Sequence, residues 1–238
     1  MKHIVSLSGG KDSTAMLLMM LEKDMKVDDI VFCDTGIEFP QMYEHLRKLV
    51  AYIKRPITIL RQEKSFEEYL LNHKRKNGKI GYGFPYFRNR WCTTIFKRDP
   101  MIKFCRGHIE YHGIAYDEKE RINKNQDRKR AIKYPLVDWK ITEKEALKYC
   151  YSRGFDWSGL YELTDRVGCW ACPLCKVGHM RMLYKNFPEL WNKLKEWDKK
   201  AWNNFKYKKS LDYYENKFEN LQLMTNSEHT ILHKKRKS

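Results

Sequence analysis

Three cysteines stand within seven residues in Gly168-Cys-Trp-Ala-Cys-Pro-Leu-Cys175. Two-residue spacers let the thiolates of Cys169, Cys172 and Cys175 converge on one centre, which suits a tetrahedral Zn2+ or a 4Fe–4S cluster alike. His179 is a candidate to replace one thiolate in a zinc site, although a histidine beside such a cluster more often stands behind the ligands as a hydrogen-bond donor. A second constellation, Ser8-Gly-Gly-Lys-Asp-Ser-Thr14, lies near the N-terminus between a short apolar run and a helix-like one. Gly9 and Gly10 let the backbone turn tightly and approach an anion with no Cβ in the way. The hydroxyls of Ser8 and Ser13 and the free amides of a helix start supply donors. This is phosphate-binding chemistry. Lys11 adds a point charge, and Asp12 is suited to orient the loop or to help hold Mg2+ on the phosphates. The string is not a Walker A loop, which places its lysine after a longer glycine-bounded turn.

These groups need a scaffold, and the first third of the chain supplies a rhythm for one. Apolar strand-like runs at residues 3–7, 30–33 and 57–60 alternate with helix-like runs through residues 15–21 and 42–53. Strand, helix, strand at this spacing predicts βαβ units and a doubly wound, mostly parallel sheet covered on both faces. Asp34 and Thr35 then fall at the end of the second strand, on the carboxyl edge where open α/β sheets bind ligands. A glycine- and aromatic-rich loop at residues 77–86 precedes a helix-like segment at 92–105 and another strand at 108–114. The polar stretch 117–133 is expected to be a loop or lid, and Thr142 with Glu145 fits a capping box opening a helix. The expected division is an α/β nucleotide-binding domain at 1–140 and a small helical, cysteine-bearing module at 141–238. In that module Leu190, Leu194, Trp197 and Ala201 recur at helical spacing, which reads first as a core stripe with a solvated lysine face. An aromatic and basic nucleic-acid surface is the sharper alternative.

The 238 residues carry 47 Lys and Arg against 30 Asp and Glu, a formal charge of +17 that favours a polyanionic partner. With 42% hydrophobic residues the chain is globular rather than disordered. No signal-peptide succession and no apolar run of about 18 residues is visible, so a cytoplasmic protein without a membrane span is expected. In that compartment seven cysteines argue for metal binding and packing rather than disulfides. Cys33, Cys105 and Cys150 read as packing cysteines, with Cys33 a minor candidate for relaying sulfur.

The glycine loop resembles that of the PP-loop ATP pyrophosphatases, whose SGGxDS motif is matched at Ser8, Gly9, Gly10, Lys11, Asp12 and Ser13. Phe32-Cys-Asp-Thr-Gly-Ile-Glu-Phe-Pro40 is similar to the DTGxxFP segment of the phosphoadenosine phosphosulfate (PAPS) reductase family. Arg90-Trp-Cys-Thr-Thr-Ile-Phe-Lys97 with Pro100, and Gly113-Ile-Ala-Tyr-Asp-Glu-Lys-Glu-Arg121, resemble two further segments of that family, and Tyr134-Pro-Leu136 a short third. The likeness runs over roughly residues 1–175. It implies an adenine nucleotide alpha hydrolase-like fold that binds ATP at the loop, with Asp34, Thr35 and Gly113 at the nucleotide and Lys97 and Arg121 beside Lys11 and Asp12 near the phosphates. It also makes Cys92 the fourth ligand to the cysteine cluster and tilts that cluster toward 4Fe–4S rather than Zn2+.

The activity so implied is cleavage of ATP between the α and β phosphates, with adenylation of an oxygen on a nucleic acid, tRNA or DNA, for replacement by sulfur. A sulfur donor such as a cysteine desulfurase and a homodimeric state are compatible with it. Two alternatives stay open. Sulfonucleotide reduction is disfavoured because the loop is intact and no cysteine follows Cys175. The other is a nucleotide- or nucleic-acid-binding module without turnover.

Overall fold

A computed structural model describes residues 1–122, 130–206 and 209–220. Five strands form one parallel sheet: β1 (His3–Leu7), β2 (Asp29–Asp34), β3 (Thr58–Arg61), β4 (Ile109–His112) and β5 (Ala131–Lys133), in the order β3-β2-β1-β4-β5. The order follows from burial. β1, β2 and β4 are buried along most of their length and take the middle, whereas β3 alternates half-buried with exposed residues and β5 likewise, as edge strands do. Strand order reverses between β1 and β4, and at such a switch point the carboxyl ends of the strands open a crevice. The loop after β1 is the glycine loop, and the residue following β4 is Gly113. The doubly wound sheet expected from the sequence is therefore present, with one strand more than its periodicity disclosed. β5 lies inside the polar stretch expected to be a loop or lid, which also opens with a 3-10 turn at Tyr116–Arg121. Residues 123–129 of that stretch lie outside the described residues.

The helices beside the sheet are α1 (Lys11–Glu22), α2 (Pro40–Ile53), α3 (Trp91–Thr93), α4 (Asp99–Phe104), α5 (Pro135–Asp138), α6 (Glu143–Ser152) and α7 (Leu160–Leu163), with a π-helical turn at Thr94–Arg98 joining α3 to α4. α6 opens on the expected capping box: Thr142 Oγ1 accepts the Glu145 N–H at 3.3 Å, and the Glu145 carboxylate accepts the Thr142 N–H at 2.9 Å. Met16, Leu17 and Phe39 are fully buried.

The chain divides into two compact units. One comprises Met1–Phe66 and Arg90–Trp170; the other comprises Glu67–Asn89 with the chain from Ala171 onward. Residues 141–170 thus group with the sheet, because they pack on its glycine loop: Cys150 Sγ lies 3.4 Å from the Lys11 carbonyl oxygen. The second unit holds α8 (Val177–Asn186), α9 (Pro188–Lys200) and α10 (Leu211–Asn220). In α9 the buried stripe is Trp191, Leu194, Trp197 and Asp198, so its leading position is one residue beyond the expected Leu190. Asp198 is tolerated there because its carboxylate accepts the backbone N–H groups of Phe205 and Leu211. Among the described residues no helix is long and apolar enough to cross a membrane.

Candidate functional site

β1 delivers the chain to Ser8, and α1 begins at Lys11. Between them Gly9 sits at φ +77°, and a Cβ there would lie 2.4 Å from Met42 Sδ. Only glycine fits that turn. The loop is laced from within: Ser13 Oγ lies 2.9 Å from Ser8 Oγ, accepts the Ser8 N–H at 3.1 Å and donates to the Gly10 carbonyl oxygen at 3.1 Å. The first intrahelical bond runs from the Thr14 N–H to the Gly10 oxygen, so Asp12 and Ser13 begin the helix with amides that have no acceptor within it. Gly113, expected at the nucleotide, brings the end of β4 against the loop. A Cβ on it would fall 2.6 Å from Ser13 Cα and 2.7 Å from Ser13 N, so the strand end presses directly on the turn.

A second layer holds the loop from far along the chain. The Trp157 indole N–H donates to the Gly9 carbonyl oxygen at 2.8 Å, and the Lys11 N–H donates to the Tyr161 hydroxyl oxygen at 2.8 Å. Trp157 stacks on His45 at 4.4 Å, and His45 Nε2 lies 3.0 Å from Thr14 Oγ1. Burial pushes the His45 imidazole down to about 4, so it is neutral there. No local motif marks Trp157 or Tyr161; their role depends on a fold-back of about 150 residues.

The charges around the loop differ from a simple phosphate cradle. Lys11 is buried, with Nζ 2.6 Å from Glu143 Oε1, 3.4 Å from Asp12 Oδ2 and 5.7 Å from the centre of the Tyr161 ring. Asp12, Glu118 and Glu143 each bring a carboxylate oxygen within 4.8 Å of the others. Asp12 Oδ1 is buried without a hydrogen-bond partner. Burial, opposed by Lys11 and reinforced by Glu143, pushes the Asp12 carboxyl up to about 6. An orphaned oxygen beside two further carboxylates is the hard-oxygen donor set that Mg2+ takes. Sequence reasoning named Asp12 for this and missed Glu118 and Glu143. Arg121 pairs with Glu118 one turn away.

The carboxyl edge of β2 forms a neighbouring cluster. Asp34 is buried, accepting the Gly36 N–H and the Tyr43 O–H, each at 2.8 Å, and the Arg61 guanidinium. Burial alone would raise its carboxyl, but the bonds from Arg61, Gly36 and Tyr43 outweigh it and hold the group below the usual carboxylate range. Thr35 Oγ1 donates to Glu38 Oε1 at 2.9 Å. Lys97 Nζ lies 3.5 Å from Glu38 Oε1 and 3.8 Å from Cys169 Sγ, and these contacts, with Cys169 first, hold its ammonium well above the ordinary lysine value. Lys97 is thus brought to Cys169 and Glu38, whereas Lys11, Asp12, Glu118 and Arg121 form the other group.

All seven cysteines are free thiols. Cys105 and Cys150 are buried as packing residues, and Cys33 is half-buried. Of the four candidate ligands, Cys92 and Cys169 belong to the first unit and Cys172 and Cys175 to the second. All four are half-buried, and the Cys175 N–H donates to the Cys172 oxygen at 3.1 Å in a tight turn. Thiolate sulfur is a ligand that iron–sulfur clusters and zinc both take. His179 is held below its ordinary value by burial and then by Lys206, which favours the neutral imidazole that a zinc ligand would require.

A family profile described as the phosphoadenosine phosphosulfate reductase domain matches residues 2–175. Two uncharacterized proteins of Methanocaldococcus jannaschii are 30% and 26% identical over 210 and 201 residues, covering 80% and 79% of this chain. The chain spans only 40% and 45% of their lengths. The crystal structure of a phosphoadenylyl-sulfate reductase from Candida auris, a phosphate complex, is similar with a TM-score of 0.51 and 19% identity, over 71% of this chain and 82% of that one. Likeness at that identity shows a common fold.

Proposed function

Because the chain belongs to the phosphoadenosine phosphosulfate reductase domain family, whose members bind nucleotides, we propose that it is an ATP-cleaving member that adenylates a nucleic-acid oxygen for replacement by sulfur. The observation that carries this reading is the glycine loop joined to a carboxylate trio. Ser8 to Ser13 form a turn that an anion can approach closely, and Asp12, Glu118 and Glu143 stand at its helix start. ATP needs both a phosphate cradle and a place for the divalent cation that accompanies it.

In this reading the Asp12 and Ser13 amides and the Ser8 and Ser13 hydroxyls bind the β and γ phosphates. Trp157 and Tyr161 keep the loop in shape while they do so. The acceptor oxygen attacks the α phosphorus, the bond from that phosphorus to the pyrophosphate oxygen breaks, and pyrophosphate leaves in line. Asp12, Glu118 and Glu143 would hold Mg2+, which supplies charge neutralisation for the departing pyrophosphate. The Lys11 ammonium draws on two of the same carboxylates, so the cluster is balanced between a fixed cation and an exchangeable one. Lys97 and Arg121 are assigned to the phosphates by family position, and Asp34 and Thr35 to the adenosine side. Cys92, Cys169, Cys172 and Cys175 would hold a 4Fe–4S cluster, which would supply a place to bind sulfide; zinc is the alternative occupant.

Incubation with α-labelled ATP, Mg2+ and tRNA or DNA tests this reading. Pyrophosphate release with a labelled adenylate on the nucleic acid is expected, and no release with any nucleic acid would overturn it. The reduction named in the family description is the second reading. Its signature is sulfite released from PAPS in the presence of an external dithiol.

A further inference from the structure

The second unit carries a stacked ladder of rings and cations that the nucleotide site does not use. Residues 69–89 contain five Lys or Arg and no Asp or Glu. Within them the His73 imidazole lies 5.4 Å from the Tyr82 ring at an interplanar angle of 11°. The Arg75 guanidinium lies 5.8 Å from the Tyr82 ring centre and 5.8 Å from that of Trp202. A guanidinium shared between two ring faces is a rigid, flat, cationic surface. Among the described residues, Arg75 Nε is buried with no hydrogen-bond partner.

Glycine and asparagine keep Trp202 in this position. Gly83 sits at φ +66°, and a Cβ on it would fall 2.5 Å from the Trp202 ring. Next to the ring, the Asn203 amide accepts the Phe84 N–H at 2.7 Å and donates to the Phe84 oxygen at 3.0 Å. The indole is therefore fixed on one side and is still 60% exposed. Three residues beyond Phe84, within roughly 11 Å along the chain, Phe87 is 72% exposed with the Arg88 guanidinium 5.2 Å from its ring centre. Large exposed aromatics are costly to leave in water. Here each one has a cation at its face and no carboxylate within the segment to neutralise it.

We propose that this surface binds single-stranded nucleic acid, with bases stacking on Trp202 and Phe87 and phosphates meeting Arg75 and Arg88. Exposed bases offer a π-face to each ring, and the backbone supplies the negative charge the segment lacks, which is the pairing that single-strand binders use. A duplex hides its base faces and offers only the phosphates. What the bound strand is used for rests on the adenylation reading above, whereas binding itself is measured without ATP.

The test is fluorescence anisotropy of the full chain with fluorescein-labelled 20-nucleotide DNA and RNA, single-stranded and duplex, over a salt series. Phe87→Ala and Trp202→Ala should each raise Kd for single strands by roughly tenfold with little change in the salt slope. Trp202→Phe should recover most of the loss. Arg88→Gln should lower the slope by about 0.7, whereas Lys148→Gln, an exposed lysine on α6, should not weaken binding more than twofold. Phe87 is so exposed that its replacement should leave the melting temperature unchanged, which separates binding from folding. Aromatic variants that bind within twofold of the parent would overturn the proposal. So would equal affinity for duplex, or binding to phosphatidylserine vesicles in preference to oligonucleotide. If single strands bind as expected and no pyrophosphate is ever released, the surface stands and the adenylation reading falls; release with unchanged binding in the variants has the opposite meaning.

Discussion

Asp12→Asn should make the protein more stable and at the same time abolish its response to Mg2+. Burial first, then Glu143, raises the Asp12 carboxyl from an ordinary 3.8 to about 6 against the pull of Lys11. Between those values the native state holds the proton more tightly than the unfolded chain, so stability falls as pH rises through that window, and the cost is fully present above about pH 6. A rise of this size is worth about 3 kcal/mol at 1.36 kcal/mol per pH unit. The side chain keeps 18% of its exposure, and the variant also forfeits the contact with Lys11, so about 1–3 kcal/mol is the expected gain at pH 7.5. That corresponds to a melting temperature higher by roughly 2–12 °C, taking about 2–4 °C per kcal/mol for a chain of this size. The gain should shrink toward zero as pH falls from 6 to 4. Thermal unfolding with and without Mg2+ reads both effects: the parent should be stabilised by the ion and the variant should not. A variant that melts below the parent at pH 7.5, or that keeps the full Mg2+ shift, would refute the account of this carboxylate.

Gly113→Ala should disrupt nucleotide binding although it contributes no polar side-chain atom, because its Cβ would meet Ser13 backbone at 2.6 Å; a loss of ATP affinity beyond tenfold by calorimetry, with a lower melting temperature, is expected. Gly9→Ala combines a left-handed φ of +77° with a 2.4 Å approach to Met42 Sδ, and should cost about 1–3 kcal/mol in urea unfolding. Trp157→Phe removes the indole bond to the Gly9 oxygen and should cost about 1–2 kcal/mol, with a rise in KM for ATP larger than any fall in kcat. Protein purified without oxygen should contain iron and absorb near 400 nm, and Cys92→Ser and Cys172→Ser should each lose both signals; a colourless protein with stoichiometric zinc would assign the cysteines to a structural site instead.

Much of the architecture is written locally. Strand and helix periods in the first 60 residues, the glycine pair after β1, and the Thr142–Glu145 cap are encoded by neighbours a few residues apart, and such signals survive in isolation because backbone preference and side-chain spacing decide them. β5 was not legible for the same reason in reverse. Ala131–Lys133 is a short edge strand with one half-buried residue, and nothing in its own pattern distinguishes it from a polar loop; pairing with β4 makes it a strand. The stripe on α9 was legible as a helix but misplaced at its leading position, since Leu190 and Trp191 are both apolar and packing against α10 selects the second: the Trp191 ring lies 6.0 Å from Phe218.

The same division holds at the candidate site. Ser8 to Ser13 announce an anion cradle by composition and position alone, because close approach to phosphate demands glycines and a helix start wherever it occurs. The sequence does not say that Lys11 is held by Glu143, that Glu118 joins them, or that Trp157 and Tyr161 clamp a loop about 150 residues away. Glu118 and Glu143 read as ordinary surface acids until the turn after β4 and the start of α6 bring them to Asp12. Short-range conformational preference selects the elements. Burial and charge at the crossing of distant segments are set by how the sheet closes, which no window of neighbouring residues contains.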